Sequence, residues 1–332
     1  MQSSRTKWRR KVLTAVGISI GVFAISSATL NTAAAAEKFV ALTQIVDHPS
    51  IDAIRKGFED GLATRGFVPG KSIKWEVQSA QGSPATAAQI ARKFVGDGPD
   101  VIVAIGTPSA QALAAATKTI PIVFAGLSDP IGAKLVESIE HPGHNVTGSA
   151  QYAPVGHQLD LVKELVPAVS KIGVIYNPGE ANSVAVLARI KQEAQNRAIE
   201  IVEATANRSS DVSASAQSLV GKVDALFVPQ DNTAVSALEA IIQVAYSAKI
   251  PFFASDSGSV ERGALASVGM DEQVIGELAG QIAADILEGK KPQDIPVALG
   301  DKTSLAINLK SAKRMGVTIP DAVVARALHV VE

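Results

Sequence analysis

Residues able to hold a polar small molecule recur at the ends of apolar runs, with little beside them that could break a covalent bond. Six segments stand out. Thr43-Gln44-Ile45-Val46-Asp47-His48, Gly106-Thr107-Pro108-Ser109 and Gly126-Leu127-Ser128-Asp129-Pro130 lie in the first half. Asn177-Pro178-Gly179-Glu180-Ala181-Asn182, Pro229-Gln230-Asp231-Asn232-Thr233 and Ser255-Asp256-Ser257-Gly258 lie in the second. The segment around Thr107 is the best anion site. Glycine lets a ligand approach the backbone, Ser109 can cap the following helix, and free amides at a helix start favour a carboxylate. The same residues also fit an ordinary helix cap. Asp231 can accept the protons of a ligand ammonium or cap the next helix, and Asp256 among its serines has the same two readings. Glu180 and Asn182 fit capping better, while Tyr176 ends an apolar run where a stacked or edge-on ligand contact can form. The candidate ligand-binding residues are therefore Gln44, Thr107, Ser109, Ser128, Tyr176, Glu180, Asn182, Asp231, Asn232 and Asp256.

Catalytic and metal chemistry find less support. The Gly-x-Ser-x-Gly elbow is absent, and His48 is the one histidine in a comparable loop. No Gly-Lys-Ser/Thr follows Gly106-Thr107, so a phosphate loop is not indicated. His141 and His144 flank Pro142-Gly143 with no third ligand nearby, which fits a surface turn better than a metal site. No catalytic residue and no cofactor is expected.

These loops need a scaffold, and the apolar pattern supplies one. Strand-like runs at 39–45, 73–77, 101–105 and 120–125 alternate with helical stripes at 51–62, 85–95 and 109–116. After Asn145-Val146-Thr147-Gly148 the alternation restarts, with strands at 171–176, 200–204, 225–228 and 251–254 and helices between them. Such alternation predicts α/β architecture with parallel sheets covered by helices on both faces, and two similar halves are a better reading than one sheet of ten strands. Ligands of such sheets bind outside the carboxyl ends of the strands, where the six segments sit. A last helix through Val274, Leu278, Ile282 and Ile286 stops at Gly289, and a strand-like run around 305–309 follows. This tail can extend the second sheet or cross back to the first.

The 332 residues contain no cysteine, which removes disulfide frameworks and Cys-ligated clusters. Residues 1–36 read as a signal peptide: Arg5, Lys7, Arg9, Arg10 and Lys11 precede an apolar stretch from Val12 to Leu30, and Ala34-Ala35-Ala36 offers a cleavage site. A membrane anchor is the competing reading of that stretch. Removing five positive charges from 31 leaves 26 against 32 acids, so the mature chain carries about −6. Binding to nucleic acid or to a membrane surface is disfavoured by that balance.

Several ordered segments resemble the substrate-binding proteins of ABC importers, including members that bind tryptophan and other aromatic amino acids. The resemblance is carried by 100–108 (DVIVAIGTP), 120–125 with Ser128-Asp129-Pro130, 145–148 (NVTG), 171–178 (KIGVIYNP) with Glu180 and Asn182, 228–232 (VPQDN), and 250–256 (IPFFASD) with Val260 and Gly263. It spans roughly 38–320. It implies a type I periplasmic binding protein fold: two Rossmann-like lobes with parallel sheets, three crossing segments and a cleft between the lobes. The first lobe would comprise 37–148 plus about 272–298, and the second 149–271 plus about 299–332. The implied function is capture of a small amino-acid-like ligand in the periplasm and delivery to an inner-membrane ABC permease, by a protein that is a monomer and not an enzyme. One departure is visible. The family often has a tyrosine shortly after the Gly269-Met270-Asp271 position, where this chain has Glu272 and Gln273. A secreted α/β hydrolase or transferase, and a ligand-sensing module for a membrane receptor, are the alternative readings.

Overall fold

Continuous β-branched and aliphatic runs form strands buried on both faces, as Val101–Ile105 shows with all five residues buried. A computed structural model describes residues 37–332, so the expected signal peptide at 1–36 lies outside the described residues. The chain opens with β1 (Lys38–Gln44), α1 (Pro49–Ala63), β2 (Ile73–Ser79), α2 (Pro84–Asp97), β3 (Val101–Ile105), α3 (Thr107–Ala116), β4 (Ile122–Leu127) and β5 (Val146–Ala150). It continues through α4 (Val155–Leu165), β6 (Lys171–Tyr176), α5 (Ala181–Gln195), β7 (Glu200–Thr205), α6 (Val212–Leu219), β8 (Ala225–Val228), α7 (Asn232–Ser236), α8 (Leu238–Ala248), β9 (Phe252–Ala254), α9 (Ser257–Arg262) and β10 (Ala266–Met270). It ends with α10 (Glu272–Leu287), β11 (Ala298–Leu299), β12 (Thr303–Asn308), α11 (Leu309–Met315), α12 (Asp321–Arg326) and β13 (His329–Val331).

Two sheets result. The first has the order β11-β5-β4-β3-β1-β2 and is parallel throughout. The second has the order β13-β12-β10-β9-β8-β6-β7, with β12 antiparallel to β10. Each sheet is the centre of one lobe, and the second lobe has its own apolar core around Phe227, Phe252 and Phe253. The chain passes between lobes three times, after β5, after β10 and between β11 and β12. The tail serves both lobes: α10 and β11 return to the first, and β12 and β13 extend the second. Because Ser149 and Ala150 pair with Ala298 and Leu299, the first sheet holds the chain through Ala150 and Leu299, slightly past the expected breaks at 148 and 298.

Helix α10 lies against α1 through four glycines, Gly57 and Gly61 on one side and Gly276 and Gly280 on the other. A Cβ on Gly276 would stand 2.0 Å from the Ile54 carbonyl oxygen, and one on Gly57 would stand 2.1 Å from that of Gln273. Backbone thus meets backbone. This contact fixes the start of α10, with Glu272, beside the start of α1, with His48 and Ser50.

Candidate functional site

The strand-end loops of the two sheets face each other and enclose a cavity of about 60 Å³. Thr107, Ser128, Asn182, Asp231, Asn232 and Asp256 line it, so the structure brings six of the ten candidate residues together. Two hydrogen bonds of 2.6 Å tie the lobes across it, beside a longer one from Ser257 Oγ to Glu272 Oε2 at 3.4 Å. Ser128 Oγ donates to Gln230 Oε1 at 2.6 Å, and Ser50 Oγ donates to Asp256 Oδ1 at 2.6 Å.

One wall carries an uncapped helix start. Gly106 occupies the N-cap of α3 with φ 92°, and a Cβ there would come within 2.6 Å of Ile45 Cγ2, so the position excludes a capping side chain. Ser109 does not cap α3, contrary to the sequence expectation, because the helix begins two residues earlier at Thr107. Its hydroxyl is buried without a hydrogen-bond partner among the described residues. Thr107 lines the cavity, and the free amides and dipole at this end of a ten-residue helix favour an anion.

In the second lobe, Asp231 and Glu180 hold the lobe's own loops together. Asp231 is 1% exposed; its Oδ1 accepts from Ala234 N at 2.6 Å and its Oδ2 from Asn177 N at 2.6 Å. It is therefore the N-cap of α7 as well as a cavity residue, and burial together with the neighbouring Glu180 carboxylate pushes its pKa up to about 7. Glu180 does not line the cavity. Its carboxylate accepts from Asn232 N and Nδ2 and from Thr233 N and Oγ1 at 2.6–3.2 Å, binding the β6–α5 loop to the start of α7. Glu180→Ala is expected to lower unfolding stability by about 2 kcal/mol, since four donors lose a charged acceptor; urea unfolding checks this.

Tyr176 and Gln44 also lie off the cavity. The Tyr176 hydroxyl donates to Glu203 Oε2 at 2.9 Å while the ring joins the second lobe's core, so its position at a strand end does not aim it at the cleft. Gln44 is buried at the end of β1 and its Nε2 donates to Asp47.

The lining also includes His48, Ser50, Gln151, Gln230 and Glu272, which are outside the ten candidates although His48 and Gln230 lie in the segments singled out from the sequence. Asp256 caps α9, accepting from Ser259 N at 2.8 Å and Ser259 Oγ at 2.7 Å. His48 caps α1, and burial holds its pKa below the ordinary imidazole value although Asp256 pulls the other way. Glu272 is 8% exposed, and burial, then the Asp256 charge, pushes its pKa up to about 8. The signal for Glu272 was its place just after a crossing segment, where a side chain meets both lobes.

Comparison with known proteins agrees with this architecture. The profile described as ABC transporter substrate binding protein matches residues 39–331. The tyrosine-binding protein of Clostridioides difficile is 44% identical over 279 residues, covering 84% of this chain and 81% of that protein. The crystal structure of an ABC domain in complex with L-Trp from Streptococcus pneumonia is 35% identical, with a TM-score of 0.86 over 89% of this chain and all of that one (100%). The ligand-free, open structure of a substrate binding protein with adhesive properties from Clostridium difficile is 39% identical, with a TM-score of 0.67 over 89% of this chain and 99% of that one. The match over nearly the whole described chain, with the two parallel-sheet lobes and three crossings, places the protein in the ABC transporter substrate-binding family, on the type I periplasmic binding protein fold and outside the enzymes.

Proposed function

We propose that this protein captures a free aromatic amino acid between its lobes outside the inner membrane and presents it to an ABC permease. The observation that carries the reading is the cavity itself, which joins an uncapped helix start to buried acids across two lobes and so suits a zwitterion. The relatives that bind tyrosine and L-Trp support the aromatic class. Cleavage after Ala36 would release the two-lobed unit into the periplasm.

Ligand entry requires motion. The cavity of about 60 Å³ is smaller than the interior cavity of about 150 Å³ that holds benzene in another protein, so an aromatic amino acid enters only when the lobes part. The closer likeness to the L-Trp complex than to the open, ligand-free relative supports reading the present arrangement as the closed one. A ligand touching both lobes biases the hinge toward closure through contacts that the open state lacks. Small-angle scattering should show a radius of gyration that falls when L-tyrosine or L-tryptophan is added. Saturable binding with an unchanged radius would contradict closure.

A further inference from the structure

The amino-acid reading leaves open which acid receives the ligand's ammonium group. Asp231 spends both oxygens on backbone amides, and Asp256 holds three donors from Ser50 and Ser259. Glu272 differs. It is the first residue of α10, lines the cavity and has as its side-chain partner, among the described residues, only Ser257 Oγ at 3.4 Å. A carboxyl more than nine-tenths buried with open acceptor capacity on a cavity wall lacks the partner that burial demands. A second residue of the same cavity points the same way: Asn182, 5% exposed, has a buried Oδ1 without a donor among the described residues. Both leave acceptor capacity that a ligand bringing N–H groups would fill.

We propose that Glu272 is the acceptor for the ligand's ammonium group, with Asp256 as the neighbouring negative charge and Asp231 as a structural cap. The site rests on the amino-acid reading above and deepens it. The charged and titratable groups around Glu272 are Asp256 at the start of α9, Asp271 on its own segment and His48 at the start of α1. Burial disfavours the charged form of His48, and among the described residues no lysine or arginine lines the cavity, so the ligand supplies the cation. With the lobes closed on an empty cleft, burial raises the Glu272 pKa to about 8 and favours the protonated carboxyl at pH 7, whereas parting the lobes returns it to solvent as a carboxylate. A ligand ammonium keeps the carboxylate ionised on closure, so closure around a des-amino analogue takes up about one proton more at pH 7 than closure around the amino acid.

Calorimetry on the purified protein in phosphate and in Tris at pH 7 counts this proton. The probes are L-tyrosine and L-tryptophan, their des-amino analogues 3-(4-hydroxyphenyl)propionate and indole-3-propionate, and L-phenylalanine. Wild type should take up about one proton more with a des-amino analogue than with the amino acid, and should prefer the amino acid. Glu272→Gln, a neutral isostere of the protonated carboxyl, should abolish most of that uptake difference and cut the preference by roughly 30-fold or more. Asp231→Asn should keep both. Preference and uptake difference retained in Glu272→Gln, or lost in Asp231→Asn alone, would overturn the assignment. A Glu272→Gln effect on tyrosine against phenylalanine, with the amine preference intact, would also overturn it by placing Glu272 at the ligand side chain. Glu272→Asp, which keeps the charge at a shorter reach, serves if the glutamine variant does not fold, and equal proton uptake with an amino acid and its des-amino analogue in wild type contradicts the proposal without any variant. Failure of wild type to bind either amino acid would instead refute the proposed function.

Discussion

Ligand-free protein is expected to lose stability as pH rises from about 4 to about 7, the reverse of a fold limited by its ion-paired carboxylates. Asp231, held inside the second lobe, has a folded pKa raised to about 7, above its ordinary value of 3.8, whereas Glu272 is raised to about 8 only with the lobes closed. A group whose folded pKa is raised binds its proton more tightly in the folded state. Its contribution is complete below the unfolded pKa and disappears as pH climbs through the folded one. Asp231 should therefore subtract roughly 1.4 kcal/mol per pH unit inside its window, with the loss levelling off above about pH 7. The paired surface acids act elsewhere: Asp160 beside Arg197, and Asp224 held by the Ser170 and Lys171 amides, have lowered pKa values and weaken the fold only as pH falls below about 4. Urea midpoints of ligand-free protein should decline from pH 5 to pH 7 and level off by pH 8, and Asp231→Asn should flatten the decline. A midpoint that rises over this range would mean that the Asp231 carboxyl is not strained.

Gly276→Val should be among the most damaging single changes in the first lobe, costing about 3 kcal/mol or more. The new Cβ would overlap the Ile54 carbonyl, which is backbone and cannot rotate aside. Gly61 and Gly280 meet their partners equally closely, since a Cβ on either would stand 2.3 Å from the Glu277 and Phe58 oxygens respectively, so the helices cannot slide to a roomier register. Parting α1 from α10 would also carry Glu272 away from His48 and Ser50, and ligand affinity should fall with stability. Gly96 supplies the control. It lies inside α2 with nothing within 4 Å of its would-be Cβ, so Gly96→Ala should stabilise by up to about 1 kcal/mol. Equal urea midpoints for the Gly276 variant and wild type would mean that the two helices do not meet this closely.

Most strands and most of the longer helices were legible because burial on both sheet faces leaves unbroken apolar runs and burial on one helix face leaves a stripe, whereas β5 and β10, whose runs include Gly148 and Gly269, and the short edge strands β11 and β13 were not. Val155, Leu159 and Val162 also form such a stripe, in α4, where the polar interruptions at Gly156, His157 and Gln158 obscure it. The four-residue glycine spacing at 57/61 and 276/280 stands in the sequence, yet its meaning depends on a partner helix more than 200 residues away. The site was half legible for a related reason. Strand-end position identifies Thr107, Ser128 and Asp231, but it equally selects Tyr176 and Glu180, whose side chains turn into their own lobe. Glu272 reads locally as an acid favoured at a helix start, and only the approach of the second lobe makes it a buried carboxyl.

The central claim is that one aromatic amino acid is held between the lobes. Purified protein incubated with an equimolar mixture of the twenty amino acids and a set of sugars and polyols, then dialysed and denatured, gives up whatever it retained to mass spectrometry. An aromatic amino acid, near one per chain, is the expected result; retention of a sugar or polyol, or of an amino acid without an aromatic ring, would contradict the claim.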